Sequence, residues 1–535
     1  MKTRKITVST FLLGLLFMVA CGGGDQSASG TAYENSDSVY EGYAEPTEAA
    51  EEEYNESVDM MREVDEETTT EFNTEEYAYI AENDFLSPAT NPLSTFSIDV
   101  DNASYTNTRR YLEDGVKPPV GAVRSEEFIN YFDYNYPVPA KKETFSVYTE
   151  VGDCPWNART KLVHIGLKGY TVPIEELPPS NLVFLIDVSG SMEGPSKLPL
   201  LKKSFKMMVD RLNEKDRVSI VTYAGSGRVV LASTSCKHKD KIKNAIDNLE
   251  SGGSTNGSGG IERAYDIAAS NFLEEGNNRV ILATDGDFNV GRSSDDEVTR
   301  LIEDKRDDDI FLTILGFGMG NYKDSKMESM ADHGNGNYFY VDDLRESNRV
   351  LVNNLAGTLF TIAKDVKIQV EFNPALVKEY RLIGYENRIM NAEDFADDKK
   401  DAGELGAGHT VTAIYEIVPG KAKDADLKFQ NSSTKNSKDL LWVKLRYKQP
   451  RGTKSRLLEM PVDSKPLAWD DCSEDFKFSA AVAGFSLILR ESKYINGFDY
   501  DDVLAICHDI VDINEMDRVE FMQLVENAKM LSEAS

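Results

Sequence analysis

Apolar and polar residues alternate in blocks between Asn181 and about Phe360, and these blocks predict alternating strands and helices. Short apolar runs such as Leu182–Ile186 and Val280–Thr284 predict strands that are buried on both faces. Segments with apolar residues at helical spacing, such as Leu198–Leu212, separate the strands. The alternation predicts an α/β fold with a doubly wound, mostly parallel sheet.

Further blocks between and after these segments continue the pattern. The additional predicted strands are Arg217–Tyr223, Arg228–Ala232, Ile310–Leu315 and Tyr338–Val341, and the additional helices are Lys237–Leu249, Gly259–Phe272, Asp295–Asp307 and a closing helix over Leu344–Leu359.

The flanks of this region have a different pattern. Val147–Leu167 and Val366 to about Val462 alternate with a period of two, which predicts strands before and after the α/β unit. We therefore expect a β-rich domain into which the α/β unit is inserted. Phe476–Leu489 and Tyr500–Leu531 predict a C-terminal helical segment, with an apolar stripe in the first helix that packs into a core.

The first residues predict a targeting segment rather than structure. Positive residues precede a short apolar run over Phe11–Ala20, as in a signal peptide. Met18–Cys21 resembles a bacterial lipobox, and this resemblance implies cleavage before Cys21 and acylation of that cysteine. The alternative is an ordinary signal peptide, or a cysteine that is simply part of the apolar run. The mature chain would then be lipid-anchored in the bacterial cell envelope, at the outer membrane or facing the periplasm.

Charge is distributed unevenly along the 535 residues, whose formal net charge is −32. Residues 21–84 carry 20 acidic side chains against the single Arg62, and their low hydrophobicity predicts a disordered, extended tether. The remainder is acidic as well. Because nucleic acid binding requires basic surfaces, we do not expect nucleic acid as a partner.

Oxygen-bearing side chains follow two of the buried strands. Asp187, Ser189 and Ser191 form an Asp-x-Ser-x-Ser motif after the first strand, and Asp285 directly follows Val280–Thr284. Thr255 lies in a glycine-rich loop before a predicted helix. Ligands meet at the carboxyl ends of parallel strands, and an all-oxygen set favours Mg²⁺, or Mn²⁺ or Ca²⁺. The alternative is that the serines only cap the next helix.

This set of five residues resembles the metal-ion-dependent adhesion site of von Willebrand factor type A domains. The resemblance implies that the three hydroxyls ligate the metal, while Asp187 and Asp285 supply negative charge, partly through water. It also implies that an acidic side chain of a partner protein completes the metal shell. The flanking segments, Thr95–Tyr105, Val123–Phe132 and Gly406–Ile417, resemble those of a bacterial family of von Willebrand A lipoproteins.

Taken together, these patterns divide the chain into six predicted regions. They are a signal peptide (1–20), a lipidated acidic tether (21–84), an N-terminal extension with a helix and strands (85–180), a von Willebrand A domain (181–360), a β-rich domain (361–465) and a helical C-terminal region (466–535).

The predicted function is metal-dependent protein binding at the cell envelope, for adhesion or assembly. One alternative is a structural envelope lipoprotein whose metal site is not essential. A metal-dependent hydrolase is the other, but the motif lacks a nucleophile, a general base and a histidine cluster, so we do not expect an enzyme. Sequence cannot decide the disulfide state of the remaining cysteines, which are Cys154, Cys236, Cys472 and Cys507.

Overall fold

We describe the fold from a computed structural model. The structure describes residues 75 and 77 and the ranges 81–98, 101–224, 227–252, 258–286, 295–319, 323–423, 437–495 and 497–534. The predicted signal peptide, Cys21, most of the predicted tether and Thr255 lie outside these residues.

The strands, in chain order, are β1 Leu93–Ser97, β2 Phe145–Asp153, β3 Lys161–Gly169, β4 Ser180–Asp187, β5 Arg217–Tyr223, β6 Gly227–Ser235, β7 Asn277–Thr284, β8 Ile310–Phe317, β9 Tyr338–Val341, β10 Thr361–Phe372, β11 Val377–Ile383, β12 Ile389–Met390, β13 Gly403–Gly406, β14 Thr410–Pro419, β15 Asp439–Lys448 and β16 Ser455–Asp463.

The α-helices, in chain order, are α1 Ala103–Glu113, α2 Ser125–Tyr131, α3 Leu198–Arg211, α4 Lys239–Asp247, α5 Ser258–Ser270, α6 Asp295–Asp307, α7 Asp324–His333, α8 Leu344–Asn348, α9 Leu355–Leu359, α10 Glu474–Leu489, α11 Tyr500–Ile510 and α12 Met516–Ala534.

The central sheet has the strand order β6-β5-β4-β7-β8-β9. All pairs from β5 to β9 are parallel, and β6 joins as an antiparallel edge strand. Every residue of β4 and β7 is buried, because helices cover both faces. Helices α3 and α4 pack on one face through residues such as Phe205 and Ile242, and α5 and α6 pack on the other through Ile261 and Ile302. The predicted doubly wound α/β sheet is confirmed.

Strands from both flanks form two antiparallel sheets. One has the order β12-β1-β10-β15-β16 with β13 also paired to β10, and the other has the order β11-β14-β3-β2. Strands β1, β2 and β3 precede the α/β unit in the chain, whereas the other members follow it. The α/β unit is thus inserted into a β-rich region, as the alternating patterns predict.

The C-terminal helices form a core with α2 and the aromatic residues around it. Phe478 and Phe521 contact Phe132 edge to face, with ring centroids 4.9 Å and 5.6 Å away. Helix α10 is buried on nearly all sides rather than along one stripe. The stripe predicted from the sequence was too narrow, because α2, α11 and α12 surround this helix.

Two elements of the α/β unit differ from the sequence-based expectation. Helix α7 was not predicted, since only a few apolar residues such as Met327 and Ala331 mark its buried side. The closing helix is not continuous, because α8 and α9 are separated by a π-helical segment over Arg349–Asn353. No helix in the described ranges is both long and apolar enough to cross a membrane.

Contacts with the folded body begin before residue 84. The Glu75 carboxylate accepts hydrogen bonds from Arg110 at 2.8 Å and from the Tyr111 hydroxyl at 2.5 Å. Asn83 donates through Nδ2 to the Leu382 carbonyl oxygen at 3.2 Å. The predicted end of the tether is therefore too late. Local composition could not reveal contacts with residues far away in the chain.

Buried ion pairs connect the α/β unit with both flanks. The guanidinium of Arg109 on α1 bonds Asp342 through two contacts of 2.7 Å, Glu346 on α8 at 3.2 Å and Glu520 on α12 at 2.6 Å. Arg109 is only 1% exposed. Burying such a charge is costly unless it is paired, so these contacts tie three separate chain segments together.

Candidate metal centre

Asp187 is the last residue of β4, the strand that lies between β5 and β7 in the centre of the sheet. Its carboxylate is fully buried. The Ser189 amide donates to Oδ1 at 2.9 Å, and the Thr284 hydroxyl, at the end of β7, donates to Oδ2 at 3.2 Å. The end of the strand therefore holds this carboxylate in one orientation at the carboxyl edge.

The two serines of the motif lie in the loop that follows β4. Their hydroxyl oxygens are 2.9 Å apart, with Ser189 buried and Ser191 half-buried. Ser189 precedes a short 3₁₀ turn but its side chain makes no capping hydrogen bond, and the residue that precedes α3 is Lys197. Helix capping therefore does not account for the position of these hydroxyls.

Asp285 follows β7, and its carboxylate is fully buried beside the same sheet edge. Lys197 Nζ lies 3.0 Å from Oδ2. The other oxygen, Oδ1, is buried and has no hydrogen-bond partner among the described residues. Burying a carboxylate oxygen without a hydrogen-bond donor costs free energy. A cation or a proton donor at this atom would therefore stabilise the folded protein.

Negative charge accumulates at this edge of the sheet. Burial raises the pKa of Asp187 to about 6; hydrogen bonds from Ser189 oppose the rise, and the nearby Asp285 adds to it. Burial and the neighbouring Asp187 also raise the pKa of the Tyr223 hydroxyl at the end of β5. A positive ion nearby would lower the pKa of both Asp187 and Tyr223, because it favours the charged form of each group.

The residues present fit a hard divalent cation. Four of the five predicted site residues are described, and the structure brings Asp187, Ser189, Ser191 and Asp285 to the same edge of the sheet. Thr255 lies outside the described residues. Gly252, near the start of its loop, donates from its backbone amide to the carbonyl oxygen of Val188 at 2.8 Å. Hydroxyl and carboxylate oxygens suit Mg²⁺, Mn²⁺ or Ca²⁺.

Sequence reasoning missed two residues at this edge. Thr284 directly precedes Asp285 and bonds Asp187 through its hydroxyl. Lys197 lies six positions after Ser191 and reaches Asp285. Adjacency to the aspartate could have identified Thr284, but no local signal distinguishes Lys197 from the lysines that follow it on α3.

Gly318 lies in the turn after β8, beside Lys197. Gly318 has φ +74°, and its carbonyl oxygen accepts a hydrogen bond from the Tyr340 hydroxyl at 2.7 Å. A Cβ atom at this position would lie 2.4 Å from Cε of Lys197. The loop is a tight turn that borders the lysine side chain.

The cysteines are buried and free of disulfide bonds within the described residues. Burial raises the pKa of the thiols of Cys154, Cys236 and Cys507 to about 12 and that of Cys472 to about 11, which makes them poor nucleophiles. Cys507 is buried and His508 is exposed, so these adjacent residues face different environments.

A second carboxylate group lies between the β-rich sheets and the α/β unit. Carboxylate oxygens of Asp365, Asp401 and Glu404 lie within 4.8 Å of one another. Lys448 contacts Asp365 at 2.6 Å, and Arg306 contacts Asp401 at 2.7 Å. Two of the three acids thus have their own cations, as Asp285 has Lys197, whereas no cation contacts Asp187 among the described residues.

Comparisons with known families agree with this architecture. A family model described as "von Willebrand factor type A domain" matches residues 181–353. One described as "von Willebrand factor" matches residues 71–164, and one described as "Uncharacterized protein YfbK, C-terminal" matches residues 357–531.

Individual relatives span different shares of the chain. YfbK of Escherichia coli (strain K12) is 41% identical over 476 residues, which cover 86% of this chain and 82% of the relative. The structure of a von Willebrand factor type A protein from Catenulispora acidiphila covers 75% of this chain and 91% of its own, with 16% identity and a TM-score of 0.40.

A further solved structure, proximal thread matrix protein 1 from the mussel byssus with a zinc-occupied MIDAS motif, covers 36% of this chain and 46% of its own. It is 22% identical and has a TM-score of 0.28. At these TM-scores neither solved structure bears on function.

The parallel sheet with the Asp-x-Ser-x-Ser loop at its carboxyl edge defines a protein with a von Willebrand factor type A domain. Both flanks match as well, and the chain belongs to the family of Escherichia coli YfbK.

Proposed function

We propose that the protein is a binding module of the bacterial cell envelope that captures a partner protein through a divalent cation. Asp187, Ser189, Ser191, Thr255 and Asp285 hold the ion, and an acidic side chain of the partner completes its shell. The observation that carries this proposal is Asp285, whose buried Oδ1 has no partner among the described residues. Beside it, burial raises the pKa of Asp187 to about 6.

Mg²⁺ is the favoured ion, with Mn²⁺ or Ca²⁺ as substitutes. Mg²⁺ prefers oxygen ligands and retains water, so an open position is left for an incoming carboxylate. The half-buried Ser191 and the Lys197 side chain, 15% exposed, form the accessible rim of this edge. A carboxylate is a suitable ligand because it forms a charge-assisted bond with the ion at the position that water leaves open.

Membrane attachment belongs to the same proposal. A lipid on Cys21 anchors the chain, and the acidic residues that follow separate the folded body from the membrane. The binding site and the anchor are then distinct parts of one chain. Mass spectrometry of the protein purified from membranes tests this part, since a diacylglyceryl-modified peptide that begins at Cys21 is expected.

A hydrolase remains the weaker reading of the same edge. The described side chains that bond Asp187 and Asp285 are hydroxyls and one ammonium group, which are metal ligands or charge partners rather than a general base.

Affinity capture tests the function. The bait is residues 21–535 with Cys21→Ser, incubated with solubilised bacterial envelopes in Mg²⁺ and eluted with EDTA. Asp187→Ala is the site variant, and Asp247→Ala, an exposed acid on α4, is the matched control. We expect a protein that the unmodified and control baits retain, that EDTA releases and that the site variant does not bind.

The eluted protein is then purified and titrated against the bait. Binding in Mg²⁺ that disappears when one partner Asp or Glu is changed to the amide supports the proposed bridge. Equal binding by the Asp187→Ala bait would contradict it and move the contact to the flanks.

A further inference from the structure

Lys197 is held against the candidate metal centre from two sides. Its backbone amide donates to the Gly194 carbonyl oxygen at 3.0 Å, directly before α3 begins. Its side chain makes no cap for that helix and runs instead towards Asp285. Only 15% of the side chain is exposed, whereas lysines are mostly exposed in folded proteins.

The space for this side chain depends on Gly318. An added Cβ there would lie 2.4 Å from both Cγ and Cε of Lys197, so any larger residue would displace the lysine. The Tyr340 hydroxyl fixes the same loop by donating to the Gly318 carbonyl oxygen at 2.7 Å. The aliphatic part of the Lys197 side chain therefore packs against Gly318, and this packing directs Nζ towards the Asp285 carboxylate.

The Lys197 ammonium contacts one of the two carboxylate oxygens of Asp285. Nζ contacts Oδ2 of Asp285 at 3.0 Å, while Oδ1 has no hydrogen-bond partner in the described part of the chain. This one ammonium thus contacts Asp285, which lies near a second buried acid, Asp187. A divalent ion supplies twice the charge and contacts several oxygens at once, so it competes effectively for the same carboxylate.

We propose that Lys197 is a tethered cation that neutralises Asp285 in the metal-free protein and must leave it when the divalent ion binds. An ion bound at the free Oδ1 would lie close to the ammonium on Oδ2, and the two positive charges would repel each other, so binding of the ion favours departure of the ammonium. Lys197 thereby lowers the apparent affinity of the site for the metal. In the metal-free protein, its positive charge reduces the free-energy cost of burying the acids. This inference rests on the proposed function, because it assumes that the ion binds at Asp187 and Asp285.

Calorimetric titration of residues 21–535 with MgCl₂ tests the inference. The variants are Lys197→Met, which keeps the stem and removes the charge, and Lys197→Arg, which keeps a charge. Lys202→Met is the matched control, because this lysine on the same helix bonds the Asp247 carbonyl oxygen at 3.0 Å and contacts neither motif aspartate in the described part of the chain. We expect Lys197→Met to bind Mg²⁺ about tenfold more tightly, as loss of one competing ion pair implies. The control is expected to bind as the unmodified protein does.

Thermal melting supplies a second readout. In EDTA the Lys197→Met variant is expected to melt below the unmodified protein, and in saturating Mg²⁺ the difference is expected to disappear or reverse. Circular dichroism establishes that the variant is folded, and Lys197→Gln replaces it if Lys197→Met does not fold.

The outcomes separate the two proposals. If the unmodified protein binds Mg²⁺ and Lys197→Met binds with equal or lower affinity, the competitor role is wrong and the metal site stands. If the unmodified protein and every variant fail to bind Mg²⁺, Mn²⁺ and Ca²⁺, the proposed function is wrong, and the inference falls with it.

Discussion

Buried carboxylates in two regions of this protein have opposite surroundings. Glu346, where the closing helix meets the flanks, contacts Arg109 at 3.2 Å, Arg349 at 2.5 Å and the Tyr131 hydroxyl at 2.9 Å. Burial alone would raise its pKa, but the two arginines outweigh burial and lower the pKa of this carboxyl below its usual range. The fold itself supplies every cation that this acid needs.

The acids of the candidate metal centre are only partly compensated. Asp187 has hydroxyl and amide donors, no arginine contacts it among the described residues, and burial raises its pKa to about 6. Asp285 has one ammonium group on one oxygen. The difference separates a structural carboxylate, contacted by two arginines of the fold, from two acids that share one internal cation among the described residues and can accept a divalent ion.

Removal of an internal cation has the largest expected effect. Arg109→Met leaves Asp342 buried without its arginine and removes one of the two arginines that contact Glu346, and breaking a buried ion pair costs about 3 to 5 kcal/mol. Urea denaturation measures the free energy of unfolding. Arg345→Met is the matched control, because this arginine contacts Glu520 at 2.7 Å but is 62% exposed. Similar losses in both variants would contradict the structural role of burial.

Two buried histidines, whose burial outweighs the nearby acids, give the next effect. Burial lowers the pKa of His164 to about 4, and likewise that of His409, so both stay neutral in the folded protein at a pH where the unfolded chain takes up protons. Their contribution to stability is therefore complete above about pH 6.5 and is lost as pH falls towards 4. Each histidine accounts for about 3 kcal/mol over that window.

The His164→Gln variant tests this assignment through urea denaturation at several pH values. It is expected to be less stable at pH 7, since His164 bonds Tyr136 at 2.5 Å and Ser479 at 3.0 Å, but to lose less stability on acidification. The exposed His238→Gln serves as control. An unchanged acid slope in His164→Gln would refute the assignment.

Substitution of the two kinds of carboxylate gives the sharpest contrast. At 100 times the dissociation constant a bound ion stabilises the folded state by about 2.7 kcal/mol, and Asp285→Asn is expected to lose this increment. Without metal, Asp285→Asn is expected to melt close to the unmodified protein. Glu346→Gln is expected to be destabilised equally with and without Mg²⁺, so a metal-dependent loss in that variant would erase the distinction.

Substitution of an exposed ion pair is expected to change the free energy of unfolding least. Lys206 and Asp247 lie 2.5 Å apart on α3 and α4, but their side chains are 33% and 47% exposed. Water screens such pairs, so Lys206→Ala is expected to cost less than about 1 kcal/mol. A loss as large as that of Arg109→Met, measured by the same denaturation, would mean that pairing rather than burial determines the cost.

Patterns of buried strands followed by acids were sufficient to locate the sheet and the motif. Val280–Thr284 and Asp285 illustrate this, because a buried run followed by a polar residue marks both a strand and its end. Lys197 could not be found in this way. Its role depends on Gly318, 121 positions away, and only the fold brings the two together.

Other differences have the same origin. The Glu75 carboxylate is held by Arg110 and Tyr111, so the acidic composition that predicts a tether does not exclude a folded end. Helix α7 has few apolar residues, and its buried acid Asp324 is bonded by Arg124 at 2.6 Å. In a sequence, a charged residue whose partner lies far away in the chain looks the same as a charged residue on the solvated surface.

Manganese binding measured by electron paramagnetic resonance shows whether the acids at the sheet edge hold an ion. We expect one Mn²⁺ per chain of residues 21–535, displaced by Mg²⁺ and lost in the Asp187→Asn, Asp285→Asn double variant. The Asp401→Asn variant, in the second carboxylate group, is expected to bind as the unmodified protein does. Undiminished binding by the double variant, or loss of binding in Asp401→Asn instead, would contradict the claim that the acids at the sheet edge hold the ion.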